Sequence, residues 1–481
     1  MEFLTACAII IAWGMFAAAV RRPRRKKRFV PDKHYKMNKT ANKIKVSGST
    51  WLPVSLPADF VLSEDFREAF TAIERSRDIF FITGNAGSGK STLLQYFREK
   101  TAKKIAVVAP TGVAAVNVRG QTIHSFLHLP PRFIQKEQIR RLRGKAGELI
   151  EKLDALVIDE VSMVRADVMD GIDYALRINR NNLNVPFGGV QMILFGDLYQ
   201  LPPVLERDAY DAFREIYPGP YFFDAHVFKK ISCRYRELTR IYRQRDPQFI
   251  DLLNKIRHKN CLEEDLGFLN SRVVRSYEPG EDDIAIILTT TNNGASRIND
   301  ARLSALPGKG YYYTAEIEGN FDEREYPAEY NMCLKPGAQV MLIRNDKEKR
   351  WVNGTLGIVR SLGHNSIRVD VQGKIYDVGK ERWDKIRYVF NEEKQRIEDE
   401  ITGAFTQYPL RLAWAITIHK SQGKTFDKVI IDLENGAFAH GQVYVALSRC
   451  RSLGGIVLRQ SVILSDIIFD DRVYEFMGSA G

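Results

Sequence analysis

Short apolar runs along the chain alternate with segments whose apolar residues recur at helical spacing. Residues 80–82 form one such run, and Leu93, Leu94 and Phe97 follow at the spacing of a helix face. Further apolar runs at 155–158 and 192–195 each end in polar residues. Strands that alternate with helices in this way predict an α/β protein.

The segment between the first strand and the first helix, "GNAGSGKST", fits the pattern GxxxxGK[ST]. Its glycines let backbone N–H groups wrap phosphates, and the helix N-terminus adds a favourable dipole. We therefore expect an ATP site in which Lys90 reaches the β- and γ-phosphates and Ser91 holds Mg²⁺. The expected loop residues are Gly84, Asn85, Ala86, Gly87, Ser88, Gly89, Lys90, Ser91 and Thr92.

Two later strand ends offer partners for this loop. We expect Asp159 to hold Mg²⁺ and Glu160 to orient or deprotonate the attacking water. A solvated charge at a strand end is the alternative for Glu160. Gln200 follows another strand, on a loop stiffened by two prolines, and its amide is expected to sense the γ-phosphate. An ordinary proline-rich turn is the alternative there.

A second Gly-Lys-Thr occurs at 423–425, but a second phosphate loop would need glycine at 418, where the chain has Ile418. The segment therefore predicts a second α/β lobe rather than a second nucleotide site. Its loop carries good donors to a phosphodiester backbone, namely Thr417, His419, Lys420, Ser421 and Gln422. Arg243 and Arg449 are candidates to reach the γ-phosphate from that lobe, with surface positions as the alternative.

The net charge of +12 is concentrated in residues 1–50, which hold twelve Lys/Arg and two Asp/Glu, a net of +10. The remaining chain has 59 basic and 57 acidic residues, a net of +2, so nucleic-acid binding must rest on local clusters. The five cysteines form no CxxC pair, which argues against a zinc cluster or a disulfide framework and fits a reducing compartment.

Residues 1–58 are expected to form an apolar segment, a polybasic run and a polar linker. The run at 3–20 is just long enough to cross a bilayer, and the basic cluster at 21–28 would keep the rest in the cytoplasm. Membrane contact through 3–28, as an inner-membrane anchor, is one hypothesis. Translation from Met37, which omits this segment, is the other.

The ordered motifs resemble the PIF (petite integration frequency) family of helicases, in the B branch of superfamily 1 and related to RecD. The matching stretches, which span about 60–460, are "GNAGSGKST", "APTGVAAVNVRGQTIHSF", "VIDEVSM", "PFGGVQMILFGDLYQLPPV", "LTRIYRQ", "LTTTNNGASRIN", "AITIHKSQGKTF" and "VYVALSR". The resemblance implies two RecA-like P-loop NTPase lobes and an ATP- and Mg²⁺-dependent DNA helicase. It also implies 5′-to-3′ movement on single-stranded DNA. We expect a monomer at duplex/single-strand junctions, in the cytoplasm and associated with the nucleoid.

The resemblance also implies residue roles. The ATP-site roles would fall to Lys90, Ser91, Asp159, Glu160, Gln200, Arg243 and Arg449. Single-strand contacts would fall to Pro110, Thr111, Gly112, Thr122 and His124 in the first lobe, and to Thr417, His419, Lys420 and Ser421 in the second. Gly423 would belong to the element that joins this strand track to the ATP cleft. The family's adenine-reading glutamine is replaced here by Phe66, so another NTP is an alternative substrate.

The expected domain map places the first lobe at 59–235, with a basic insertion at 132–153 that is either a strand-separating wedge or a plain surface hairpin. The second lobe would comprise 236–345 and 411–481, interrupted at 346–410 by a small β-barrel that the resemblance also implies. Two other function classes remain. One is an ATPase switch that changes its grip on a partner without moving, and the other is a membrane-anchored scaffold.

Overall fold

The computed structural model describes residues 62–131, 133–205, 210–280, 283–434 and 436–480. The predictions for the apolar segment, the polybasic run and the linker at 1–58 lie outside these residues. Within the described ranges, no helix combines the length and the apolar character that a membrane span requires.

The first α/β unit is a six-stranded parallel sheet with strand order β3-β2-β4-β5-β1-β6. Its central strands are apolar on both faces because helices cover both sides of a parallel sheet. The strands are β1 (Ile79–Gly84), β2 (Ile105–Ala109), β3 (Gln121–Thr122), β4 (Ala155–Ile158), β5 (Gln191–Phe195) and β6 (Cys233–Leu238). The helices are α1 (Glu64–Arg75), α2 (Lys90–Lys100), α3 (Gly112–Asn117), α4 (Ile123–Leu127), α5 (Lys145–Glu151), α6 (Ala166–Asn179) and α7 (Tyr210–Ile216).

The predicted wedge at 132–153 contains α5 and a single 3₁₀ turn, Lys136–Gln138. Its apolar residues Ile139, Leu149 and Ile150 are buried in the core, whereas Arg140, Arg141 and Arg143 are exposed. The segment is therefore anchored to the first unit and presents basic groups to solvent. Its role as a wedge stays a prediction.

The chain then forms α8 (Pro247–Arg257), α9 (Glu263–Asn270), β7 (Ile286–Thr289) and α10 (Asn292–Ala305) before it enters a β-rich segment. That segment forms three sheets, with strand orders β14-β13-β12-β11-β17, β15-β16-β9 and β10-β8. Its strands are β8 (Tyr311–Thr314), β9 (Glu316–Gly319), β10 (Asn331–Leu334), β11 (Gln339–Leu342), β12 (Leu356–Leu362), β13 (Ile367–Val371), β14 (Lys374–Val378), β15 (Glu381–Asn391), β16 (Arg396–Gln407) and β17 (Leu410–Leu412).

The second α/β unit is completed by β18 (Ala415–Thr417), β19 (Val429–Asp432), α11 (Gln442–Leu447) and β20 (Ile456–Leu458), and α12 (Asp471–Ala480) follows it in the chain. Its four-stranded parallel sheet has the order β18-β7-β19-β20. The two parallel sheets confirm the predicted α/β class.

Two predicted boundaries differ from the observed strand pairing, and a third differs from the observed packing of aromatic side chains. The first sheet extends to Leu238 because β6 pairs with β1 along its whole length. The β-rich segment begins at β8 rather than at 346, since β11 pairs with both β12 and β17. Helix α12 was assigned to the second lobe, yet Phe476 stacks on Phe223 with ring centroids 4.4 Å apart and lies near Phe81 of β1.

The long β15–β16 hairpin connects the β-rich segment to the first sheet. Tyr388 is buried, and its hydroxyl donates a hydrogen bond to the carbonyl oxygen of Val107 at 3.2 Å. Arg98 pairs with Asp399 at 3.0 Å on the neighbouring strand. These contacts hold the β-rich segment against the edge of the first unit.

Candidate nucleotide site and single-strand path

The phosphate loop joins β1 to α2 in the expected strand-loop-helix arrangement. Gly87 and Gly89 have φ of +88° and +86°, a left-handed backbone that favours glycine. No side chain caps the N-terminus of α2, so its first N–H groups face the loop. Lys90 folds back, and its ammonium group donates to the carbonyl oxygens of Gly84 at 2.7 Å and Asn85 at 3.2 Å.

Buried charge of both signs surrounds this loop. Burial lowers the pKa of Lys90, whereas burial and the neighbouring Glu160 raise the pKa of Asp159 to about 7. Burial also raises the pKa of Glu160, which has an unusual φ of +52° just after β4. The Ser88 hydroxyl is buried and has no hydrogen-bond partner among the described residues.

Such a site fits a magnesium nucleotide. Carboxylate and hydroxyl oxygens, here from Asp159 and Ser91, are suitable ligands for Mg²⁺, and the glycine cradle with Lys90 suits a polyphosphate. A bound cation would favour the ionised form of the buried carboxylates.

Gln200 connects the two α/β units. Its amide nitrogen donates to Asp197 Oδ2 at 3.0 Å, and its amide oxygen accepts from Gln422 Nε2 at 3.4 Å. Gln422 belongs to the segment that contains the second Gly-Lys-Thr, so that segment contacts the nucleotide site. The alternative of an ordinary proline-rich turn does not explain these two contacts.

Both candidate arginines lie at this junction. Arg449 has only 1% of its surface exposed, and burial beside Arg243 lowers its pKa to about 9. Arg243 donates to the carbonyl oxygen of Ser448 at 3.1 Å, and a Cβ added at Gly87 would lie 2.5 Å from the Arg243 Cβ. Arg449 is therefore not a surface residue, and Arg243 packs directly on the phosphate loop.

Several residues at the site carried no sequence signal. The Tyr444 hydroxyl accepts a hydrogen bond from the backbone N–H of Ala86 at 3.0 Å, and Asn254 Oδ1 accepts one from the side chain of Asn85 at 3.1 Å. Arg257 lies buried beside Asp197. Their partners are distant in the chain, so no local motif could have identified them.

Two aromatic side chains flank the end of the loop. A Cβ added at Gly89 would lie 2.9 Å from Phe66 Cζ and 3.6 Å from Tyr242 Cε2. Phe66 is buried, whereas 46% of Tyr242 is exposed. Phe66 therefore supports the loop, and Tyr242 presents a ring to solvent beside it.

The first-lobe candidates for single-strand contact cluster at the ends of β2 and β3. Thr111 is exposed and caps α3, where its hydroxyl oxygen accepts from Ala114 N at 3.2 Å. Thr122 caps α4 in the same way through Ser125 N. Pro110 and Gly112 are half-buried beside Thr111, and His124 is half-buried with its pKa lowered by burial.

The second-lobe candidates differ in exposure. Lys420 is exposed and His419 is half-buried, whereas Thr417 and Ser421 are buried. The Ser421 hydroxyl donates to the carbonyl oxygen of Ile418 at 2.6 Å, and the Thr417 hydroxyl oxygen accepts from Lys420 N at 3.2 Å. In this conformation the Ser421 hydroxyl is engaged within its own loop, whereas the Thr417 hydroxyl only accepts a hydrogen bond there. Contact of either residue with a phosphodiester stays a prediction.

Gly423 follows this loop with a φ of +74°, and the space where a side chain would stand is open. The next residue, Lys424, is half-buried, and burial beside Arg411 lowers its pKa to about 8. The Lys424 carbonyl oxygen accepts from Arg449 at 3.5 Å. The turn at Gly423 therefore lies next to the buried arginine, at the edge of the nucleotide site.

A segment of the β-rich part lies against Gly112, one of the first-lobe candidates for strand contact. We call residues 321–329 the acidic segment, since its charged members are Asp322, Glu323, Arg324, Glu325 and Glu329. A Cβ added at Gly112 would lie 3.0 Å from Glu325 Cα, and Glu325 pairs with Lys385 at 2.5 Å. At the other end, Arg411 donates to the carbonyl oxygen of Pro327 at 3.2 Å.

The sequence is similar to helicases along most of its length. A family model described as PIF1-like helicase matches residues 61–266. The ATP-dependent DNA helicase PIF1 of Homo sapiens is 35% identical over 413 residues, which cover 82% of this chain and 60% of the human protein. The chain thus spans less than two thirds of the length of that relative.

Solved structures extend this similarity to the fold. Bacteroides sp Pif1 in complex with ADP-AlF4 is 38% identical with a TM-score of 0.81, and the match covers 88% of this chain and 97% of that one. Bacteroides Pif1 bound to ssDNA is 39% identical with a TM-score of 0.64 over the same shares. The conformation described here is therefore more similar to the former.

Proposed function

Since the chain belongs to the PIF1-like helicase family, we propose that it is an ATP-dependent DNA helicase that moves along single-stranded DNA and unwinds duplex or structured DNA. One observation carries the proposal. Arg243 packs on the phosphate loop and donates to Ser448, next to the buried Arg449, whose charge also acts on Glu160 of the carboxylate pair. A cleft assembled from two units can couple hydrolysis to their relative movement.

Each residue of the cleft then has a role in hydrolysis. Ser91 and Asp159 would hold Mg²⁺, which supplies positive charge to the phosphate oxygens when it is bound. Lys90 and the two arginines stabilise negative charge on the transferred phosphoryl group. Glu160 orients the attacking water and accepts its proton.

The nucleobase is bound without the glutamine of the family pattern. The exposed ring of Tyr242, with the Arg240 guanidinium 5.0 Å from its centroid, offers a stacking surface. Stacking recognises any base, so we propose that this protein discriminates weakly between ATP and other nucleoside triphosphates.

We propose that single-stranded DNA contacts Thr111, Thr122, His124 and Lys420, of which Thr111 and Lys420 are exposed and the other two half-buried. Backbone contacts of this kind are independent of sequence. A relative solved with ssDNA supports this proposal.

We further propose movement in the 5′-to-3′ direction by a monomer that acts on nucleoid DNA in the cytoplasm. Contact of residues 21–28 with anionic lipid is a separate hypothesis, which flotation of the full chain and of a version that starts at Met37 would test.

Unwinding of two partial duplexes, one with a 5′ single-stranded tail and one with a 3′ tail, tests the proposal. We expect ATP-driven separation of the 5′-tailed duplex alone, and no separation by Lys90→Ala at an unchanged melting temperature. ATP hydrolysis stimulated by single strands without unwinding of either duplex would favour the ATPase switch. Unwinding by Lys90→Ala would contradict the assignment of the phosphate loop.

A further inference from the structure

A buried guanidinium outside the expected ATP-site motifs links the two α/β units. Arg257 is the last residue of α8, and only 3% of its surface is exposed. Its Nη1 donates to Glu237 Oε1 at 3.0 Å, and its Nη2 lies 3.6 Å from Asp197 Oδ1. The guanidinium also lies over the ring of Tyr199, 4.3 Å from the centroid. All three partners belong to the first unit.

Asp197 is the partner that matters for the nucleotide site. Its Oδ2 accepts from the amide of Gln200, and its Oδ1 accepts from the backbone N–H of Tyr199 at 3.2 Å. A side chain that holds Asp197 therefore fixes the direction in which Gln200 points. Arg257 is such a side chain, because within the described residues it is the cation that lies within 4 Å of this carboxylate.

The guanidinium is only partly satisfied. Its Nε and Nη2 have no hydrogen-bond partner among the described residues, although both atoms are buried. A buried charge that lacks hydrogen bonds is unfavourable. Shortening the 3.6 Å separation to Asp197 would give Nη2 a hydrogen bond, so Arg257 would gain an interaction if α8 moved slightly toward the Asp197–Gln200 loop.

The same helix also contacts the phosphate loop. Asn254 precedes Arg257 by three residues, which places both side chains on one face of α8. Asn254 contacts Asn85 in the phosphate loop, while Arg257 contacts Asp197 in the Asp197–Gln200 loop. Helix α8 thus rests on the two loops between which the γ-phosphate would lie.

On the basis of the proposed function, we propose that Arg257 is a positioning residue that ties the Asp197–Gln200 loop to α8 and so couples the nucleotide state to the grip on single-stranded DNA. The route to the strand is short. Gln200 accepts from Gln422, whose backbone N–H in turn donates to the carbonyl oxygen of His419, next to Lys420. A perturbation at Arg257 therefore has a physical connection to the predicted strand contacts.

The test compares three variants of the full chain. Arg257→Gln removes the charge, Arg257→Lys keeps it without the planar fork, and Lys255→Gln is the matched control. Lys255 lies on the same helix but pairs at the surface with Asp251 and Asp265. For each protein we would measure the affinity for a fluorescent ADP analogue. We would also measure the affinity for a fluorescent oligothymidylate with and without a non-hydrolysable ATP analogue, and the strand-stimulated kcat.

We expect Arg257→Gln to bind the ADP analogue and the nucleotide-free strand within about threefold of the unmodified protein. Its strand-stimulated kcat should fall at least tenfold, and the ATP analogue should no longer change its strand affinity. Arg257→Lys should retain part of the strand-stimulated kcat and part of the response of strand affinity to the ATP analogue, since the charge near Asp197 is kept. Lys255→Gln should behave as the unmodified protein.

Two results would overturn this inference. One is an Arg257→Gln protein whose strand affinity still responds to the ATP analogue as in the unmodified protein. The other is a loss of nucleotide binding, strand binding and melting temperature together, which would mark a purely structural role. The double variant Arg257→Gln/Glu237→Gln removes one of the two carboxylates left unpaired and keeps Asp197, so it allows the same comparison if the single variant is unstable. Failure of the unmodified protein to show strand-stimulated hydrolysis would instead refute the proposed function.

Discussion

Replacing Gly87 with alanine should displace Arg243 from the phosphate loop. The backbone at Gly87 has a φ of +88°, where alanine costs about 1–2 kcal/mol relative to glycine. The added Cβ would lie 2.5 Å from the Arg243 Cβ, whereas ordinary carbon contacts begin near 3.5 Å, so one group must move by about 1 Å. A misplacement of that size costs a catalytic group roughly 100-fold in rate.

Gly373→Ala is the matched control. Gly373 has a φ of +81° in the turn between β13 and β14, and a Cβ there would meet no atom within 4 Å. Gly373→Ala should therefore lose about 1–2 kcal/mol of unfolding free energy in urea, and Gly87→Ala should lose at least as much because of the added contact. Only Gly87→Ala should lose strand-stimulated kcat, by about 100-fold. Binding of a fluorescent ADP analogue should remain within about threefold in both, because Arg243 is expected to act on the γ-phosphate.

Either of two outcomes would refute this reasoning. If Gly87→Ala kept its kcat within threefold of the control, Arg243 would not be held by the loop. If the affinity for the ADP analogue collapsed instead, the defect would lie in the backbone N–H groups of the loop rather than in the arginine.

Two further predictions concern contacts that cross between parts of the fold. Tyr444→Phe leaves the buried N–H of Ala86 without its acceptor, so urea unfolding should show a loss of about 1–3 kcal/mol; a value within error of zero would mean that water replaces the hydroxyl. Glu325→Gln removes a negative charge beside the predicted strand path and should tighten oligothymidylate binding about threefold at low salt, as measured by anisotropy, with the effect fading at high salt. Glu318→Gln, in an exposed pair elsewhere in the β-rich segment, is its control, and equal changes in both variants would contradict a local effect.

The parts of the site that depend on contiguous residues were predictable from the sequence. The phosphate loop needs glycines, a lysine and a following helix within a few positions, so its pattern identifies both its structure and its location. The carboxylates that follow β4 were likewise found because a strand end is a local feature. Tyr444 and Arg257 could not be found in this way, since the residues that they contact at the site, Ala86 and Asp197, lie more than fifty residues away in the sequence.

Residue type alone did not predict the direction of side chains. Thr417 and Ser421 carry hydroxyl groups, as the strand-contact prediction requires, and the structure adds that both are buried and hydrogen-bonded within their own loop. Hydrophobic patterning similarly identified strands without identifying the sheets to which they belong. That is why β8 to β11 were assigned to the second lobe, although β11 pairs with β12.

The buried charges explain why this cleft favours an anionic ligand that carries a cation. Among the described residues, the hydrogen bonds of Arg449 go to carbonyl and hydroxyl oxygens rather than to a carboxylate. Burial disfavours its charge and lowers its pKa to about 9. For Asp159 and Glu160, burial disfavours the negative charge and raises the pKa of both side chains. An additional carboxylate would stabilise the charge of Arg449 but would further disfavour the ionised forms of Asp159 and Glu160. A polyphosphate bound together with a divalent cation relieves both, since each group then faces a charge of opposite sign. Under the proposed function, that ligand would stabilise the charges of the cleft, and loss of the γ-phosphate would remove part of this stabilisation, as an alternation between two states requires.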